Sequence, residues 1–268
     1  MLLIDAHCHV SPLWFEPVET LLFQMDRHNV AQAVLTQILG QFDNRYQRDC
    51  VARYPDRFVS VGAIDPAAPD AVNQLGALAD DGMAGLRLRP DARRAGDDPL
   101  AVWRAAERHG LVISCGGPSA QFASAAFADL VGSVPTMPIV LEHLAGWVRP
   151  DCDRKPETWT ALLALARFPN ITVKIPALGQ LIARPVGQPL PASGPVLDPA
   201  GGAPLIELLD AFGPDRLMWG SDFPVVSSRE GYANALGWTR DVFEQHRPAS
   251  VAAIFGGNAG RIFFQRKA

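Results

Sequence analysis

Phe58-Val59-Ser60-Val61-Gly62-Ala63-Ile64, a helical stretch Pro69–Asp80, the stop Asp81-Gly82, then Ala84-Gly85-Leu86-Arg87-Leu88: here the chain passes from strand to helix to strand within about thirty residues. The short apolar runs are of strand length, and Gly82 follows the end of the helical pattern, as Gly110 does after Leu100–His109. The same alternation extends in both directions. Upstream lie the runs Leu2–Ala6 and Ala31–Thr36, with helical patterns at Val18–His28 and Phe42–Tyr54. Downstream lie Leu111–Cys115, Pro138–His143, Ile171–Ile175 and Arg216–Trp219. Helical patterns at Leu100–His109, Ser119–Leu130, Thr158–Phe168 and Pro204–Phe212 separate them, and Tyr232–His246 and Pro248–Phe255 close the chain. Strands alternating with helices imply a parallel sheet. Eight such units in 268 residues match an α/β fold of the (β/α)8 TIM-barrel type, a single domain over 1–268. An open doubly wound sheet is the rival. No GxGxxG follows a strand and no GxxxxGK[ST] occurs, so that rival lacks its phosphate loop.

Composition narrows the function. The chain is 48% hydrophobic and 19% charged with a net charge of −4, an ordinary globular balance with ample material for a core. No basic stripe exists to meet nucleic acid. No run is long and apolar enough to span a bilayer, and the first residues enter a strand without the basic region of a signal peptide. The four cysteines, Cys8, Cys50, Cys115 and Cys152, show no CxxC spacing. That is the usage expected of reduced thiols in a cytoplasmic protein. Oligomeric state, including a homo-oligomer, is left open.

In a barrel the chemistry sits at the C-terminal ends of the strands. Strand one ends His7-Cys8-His9, strand four Arg87-Leu88-Arg89-Pro90, strand six Glu142-His143, and strand eight Gly220-Ser221-Asp222-Phe223-Pro224, while strand seven carries Lys174. Strand parity puts His7 and His9 on one face, about 7 Å apart along the chain, and turns Cys8 away. Paired imidazoles can hold a metal, shuttle a proton or polarise a carbonyl. Taken singly, each residue has a plainer explanation: His143 as a structural hydrogen bonder, Asp222 as turn chemistry before a proline, the arginines as surface cations. Lys174, inside an apolar run, calls for an anionic partner or an open cavity. The Pro- and Gly-rich stretch Gly179–Ala203 would overhang the catalytic face.

Ile4-Asp5-Ala6-His7-Cys8-His9, Gly85-Leu86-Arg87-Leu88, Val140-Leu141-Glu142-His143-Leu144-Ala145-Gly146, Val173-Lys174 and Arg216-Leu217-Met218-Trp219-Gly220-Ser221-Asp222-Phe223-Pro224 together resemble the amidohydrolase superfamily, in its amidohydrolase 2 branch. The Glu-His-Leu-Ala-Gly stretch is similar to the motif of the group containing 2-pyrone-4,6-dicarboxylate lactonase and sugar-lactonases. The related decarboxylases usually place a metal-binding histidine at the end of strand five, where this chain has Ser114-Cys115-Gly116. The resemblance therefore implies a hydrolase that opens the lactone of a carboxylic or sugar acid. A metal-dependent decarboxylase of an unsaturated or aromatic acid is the alternative, and a catalytically lapsed ligand-binding barrel the second alternative. It implies Asp222 as general base, with His7, His9 and His143 polarising the carbonyl oxygen. They would act directly or through a divalent metal, zinc foremost, weakly held or absent, with His7, His9 and Asp222 as its ligands. Arg87, Arg89 and Arg93, with Lys174 adding to the positive field, would bind a small anionic substrate.

Overall fold

The computed structural model describes residues 1–182, 187 and 199–265. Eight parallel strands follow one another around a barrel in sequence order. In chain order the elements are β1 (Leu3–Cys8), α1 (Val18–Arg27), β2 (Val30–Thr36), α2 (Arg45–Arg53), β3 (Phe58–Gly62), α3 (Ala71–Asp80), β4 (Gly85–Leu88) and α4 (Ala101–Arg108). Next come β5 (Val112–Cys115), α5 (Ser119–Phe122), α6 (Ala125–Ser133), β6 (Ile139–Leu141) and α7 (Pro156–Leu163). The last are β7 (Ile171–Ile175), α8 (Ala203–Phe212), β8 (Leu217–Trp219) and α9 (Tyr232–His246). The ring closes at its top: Asp222 N donates to His7 O at 2.9 Å and His9 N to Phe223 O at 2.7 Å. No helix among the described residues is long and apolar enough to cross a membrane.

Strand alternation sorts the side chains into two layers. Leu35, Phe58, Leu86, Ile113, Leu141, Val173 and Trp219 face outward, under the helices. Val34, Val61, Val112, Val140 and Met218 face inward. The floor of the barrel is plugged from below by Ala259 and Phe263 of the C-terminal helical segment. Above this apolar floor the inward positions turn polar, with Arg87, Ser114, Glu142 and Lys174 all buried.

Some elements are shorter than their patterns suggest. The helix expected over Ser119–Leu130 is two: Ser124 breaks it and accepts a hydrogen bond from Phe127 N at 3.2 Å, capping the second piece. The strand expected over Pro138–His143 stops at Leu141. His143, Leu144 and Ala145 follow with φ of 51°, 54° and 53°, a left-handed turn that throws the His143 ring over the barrel mouth. L-residues avoid this region at a cost of roughly 1–2 kcal/mol each, so the turn is held by its surroundings. Leu144 N donates to Lys174 O at 3.1 Å, and Gly146 N to Glu142 O at 3.1 Å.

Candidate active site

β1 is bulged. Asp5 pairs with Ala33 and Cys8 with Leu35, three steps on β1 against two on β2. Ile4 and Ala6 therefore pack into the interior layer, yet His7, of opposite parity to them, also points inward and reaches Lys174 on β7. His9 follows on the same side, and its ring centroid lies 4.8 Å from that of His7. Asp5 sustains the bulge: its buried carboxylate accepts from His7 N at 3.2 Å, Ser221 N at 2.8 Å and Tyr232 Oη at 2.9 Å. One side chain thus ties β1 to the β8 loop and to α9. Gly220 leaves the room His7 needs, since a Cβ there would stand 2.6 Å from His7 Cβ.

Asp222 completes the mouth in a left-handed conformation, φ 61°, which aspartate tolerates better than most residues. Its Oδ1 lies 3.4 Å from His9 Nε2, 3.8 Å from His7 Nε2 and 3.9 Å from His143 Nε2. Its Oδ2 accepts from Gln180 Nε2 at 2.8 Å and lies 3.8 Å from Arg229 Nη1. Burial pushes the Asp222 carboxyl up, but its neighbours His143, His9 and Arg229 outweigh it and hold the pKa below the usual value. Burial and Lys174 push His7 far down, so it is neutral. Burial also lowers His143, despite the pull of Asp222 and Glu142.

Beneath the mouth runs a chain of buried polar groups. Lys174 Nζ contacts His7 Nδ1 at 2.9 Å and donates to Ser114 Oγ at 2.9 Å; Ser114 donates to Glu142 Oε1 at 2.7 Å. Arg87 clamps Glu142 with Nε at 3.0 Å and Nη2 at 2.6 Å, and its Nη1 donates to Gln37 O at 2.7 Å. Burial raises Glu142, but Arg87 and Lys174 overrule it and set its pKa far below the carboxylate range. Burial brings Lys174 down to about 8, partly opposed by Glu142.

His7, His9, His143 and Asp222 thus meet at one point, with Lys174 and Arg87 directly below. Arg87 faces inward, but its guanidinium is committed to Glu142. Arg89 points to solvent, 47% exposed and paired with Asp91 at 3.0 Å. Arg93 spends its Nη1 on the carbonyls of Pro90 and Ala92. Two groups beside Asp222 escape sequence reasoning: Gln180, in a turn after β7, and Arg229, whose Nη2 is buried without a hydrogen-bond partner among the described residues. Neither lies in a strand-end pattern. Cys8 and Cys115 are buried thiols with pKa values pushed up by burial, unsuited to nucleophilic attack. Of the long Gly179–Ala203 stretch, positions 183–186 and 188–198 lie outside the described residues.

An amidohydrolase family model (Amidohydro_2) matches residues 4–265. The chain belongs to the amidohydrolase family. This amidohydrolase is a hydrolase by that membership. It is 30% identical to L-fucono-1,5-lactonase of Burkholderia ambifaria, over 87% of this chain and 80% of that one. Among solved structures, a zinc-bound amidohydrolase of Burkholderia multivorans superposes with a TM-score of 0.79 at 19% identity, covering 98% of this chain and 99% of that one. A Pseudomonas putida protein assigned as a 2-pyrone-4,6-dicarboxylic acid hydrolase superposes with a TM-score of 0.76 at 22% identity, covering 99% of each. At such identities the structures speak for a shared barrel.

Metal ligation can be tested on the side chains. The ligand atoms of His7, His9 and Asp222 lie within 4.8 Å of one another. Tetrahedral zinc ligands at about 2.1 Å stand about 3.4 Å apart, so the positions are suitable. The hydrogens are not. His9 donates from Nδ1 to Thr36 O at 2.7 Å, which leaves Nε2 a lone pair. An ammonium has three donors and no acceptor, so Lys174 makes Nδ1 of His7 the acceptor and leaves the hydrogen on Nε2. The trio then offers two lone pairs, one short of the three protein ligands usual for zinc. That trio alone therefore lacks the three ligands of a firmly held zinc, and the reaction is derived from the side chains themselves.

Proposed function

We propose that this amidohydrolase opens the lactone ring of a sugar acid or a related carboxylic acid. The observation that carries the reading is the convergence of one ionised carboxylate oxygen, Asp222 Oδ1, with three imidazoles at 3.4–3.9 Å. The relationship to L-fucono-1,5-lactonase supports the substrate class. Gln180 occupies Oδ2 and leaves Oδ1 to accept a proton from a water molecule, the task of a general base. The water oxygen adds to the lactone carbonyl carbon, and the carbonyl electron pair moves onto its oxygen, on the side of the His7 imidazole. Groups aimed at that developing charge have their greatest effect in a buried site. The ring C–O bond then breaks, and the proton on Asp222 passes to the leaving oxygen, giving a hydroxy acid.

Arg229 takes the role of substrate cation. It stands beside Asp222 with its Nε paired to Glu230 at 3.3 Å, and its Nη2 has no hydrogen-bond partner among the described residues, a geometry suited to a substrate carboxylate or hydroxyl. Arg229→Ala is expected to raise KM for a carboxylate-bearing lactone roughly 10–100-fold, the loss of one charge-assisted hydrogen bond. Neutral lactones should respond much less, and equal losses on both would remove Arg229 from recognition.

The function is tested with a panel of sugar lactones and pyrone carboxylates, following acid release with a pH indicator. Acid release from at least one member, at a rate well above spontaneous opening, is expected. No acid release, together with carbon dioxide release from an unsaturated or aromatic acid, would replace the lactonase reading with a decarboxylase.

A further inference from the structure

The three imidazoles at the mouth are not equivalent. His9 gives its Nδ1 hydrogen to Thr36 O at 2.7 Å. His143 is oriented by Gln180. That amide donates its nitrogen to Asp222 Oδ2 at 2.8 Å, which turns Oε1 toward His143 Nδ1 at 3.3 Å. A carbonyl oxygen only accepts, so the hydrogen of His143 also sits on Nδ1. Both rings therefore present a bare Nε2. His7 is the reverse. The single hydrogen of Ser114 is spent on Glu142, so Ser114 Oγ must accept from Lys174, and a second ammonium hydrogen meets His7 Nδ1. Glu142 behind Ser114, and the ring face of Phe263 with its centroid 5.7 Å from Nζ, favour the charged lysine. His7 Nε2 is left buried, hydrogen-bearing and without a partner among the described residues.

We propose that Lys174 is a positioning residue that locks His7 in the Nε2–H tautomer, making it the donor to the lactone carbonyl oxygen and withdrawing it from metal ligation. Lys174 forms no bond to substrate, and His7 keeps its proton through the reaction. The catalytic half of this inference rests on the lactonase reading, whereas the tautomer and the metal preference do not.

The test uses the full chain without substrate. Long-range proton–nitrogen correlation spectra of histidine-labelled protein at neutral pH, with His7 assigned by its loss in His7→Asn, report which ring nitrogen is bare. Nδ1 is expected in the wild type, with a shift toward bare Nε2 in Lys174→Met. Zinc alone, in competition with a chromogenic chelator, is expected to bind Lys174→Met at least tenfold more tightly. On a lactone that the wild type opens, Lys174→Met should lose about 10²–10³ in kcat, the effect of one oxyanion donor, with KM nearly unchanged. A hydrogen on His7 Nδ1 in the wild type would overturn the proposal, and that spectrum decides even if the variant does not fold. Equal zinc affinity in a folded Lys174→Met would overturn it as well. If no lactone is turned over but the tautomer and zinc results hold, the substrate reading fails and the assignment to Lys174 stands.

Discussion

Asp222→Asn is expected to lower kcat for lactone opening by about 10²–10⁴-fold, the usual contribution of a general base, with KM little changed. Asparagine keeps the size of the side chain and can still receive the Gln180 hydrogen bond through its carbonyl oxygen. The amide nitrogen then takes the Oδ1 position, where it can only donate. Water loses its proton acceptor while the imidazoles and Arg229 keep their places. Stopped-flow acid release over a range of substrate concentrations separates kcat from KM. A variant within threefold of the wild type in kcat would remove Asp222 from the role of base.

The second large effect is on stability. Arg87→Met is expected to destabilise the fold by about 3–5 kcal/mol, because it leaves Glu142 as a buried carboxylate without its clamp. In a chain of this size that is a fall in Tm on the order of 10 °C, readable by calorimetry. The same pair shapes the acid limb. The folded pKa of Glu142 lies far below its unfolded value of about 4.3. Its contribution is therefore fully present above that value and is lost as pH falls toward the folded pKa, where the unfolded chain binds the extra proton. Glu142→Gln should flatten the loss of stability below about pH 4.3. An unchanged acid limb would mean that the ion pair does not govern it.

The barrel could be read from the chain because its strands obey short-range rules. The apolar run Ile171–Ile175 is a strand over those residues, and the helix expected near Tyr232–His246 spans them. The facing of His7 and His9 followed from parity between them. The bulge before them did not, because it depends on Asp5 meeting Ser221 and Tyr232, more than two hundred residues away. Local patterning also misplaced the end of β6, since the left-handed turn at His143 is held by a contact with Lys174 O across the sheet. The cations were the least readable feature. Nothing in the sequence says that Arg87 is consumed by Glu142, that Arg89 turns to Asp91, or that Arg229 arrives from the β8 loop. Whether a guanidinium is free or spent is decided by what the fold places opposite it.

The central claim, that Asp222 activates water and does not itself attack the lactone, is tested most directly by one turnover in ¹⁸O-water with enzyme in excess over a lactone it opens. The account predicts one ¹⁸O in the carboxylate of the released hydroxy acid and none in the Asp222 peptide. An unlabelled carboxylate, with ¹⁸O in the Asp222 side chain, would show that the carboxylate had bonded to the substrate, and would contradict it.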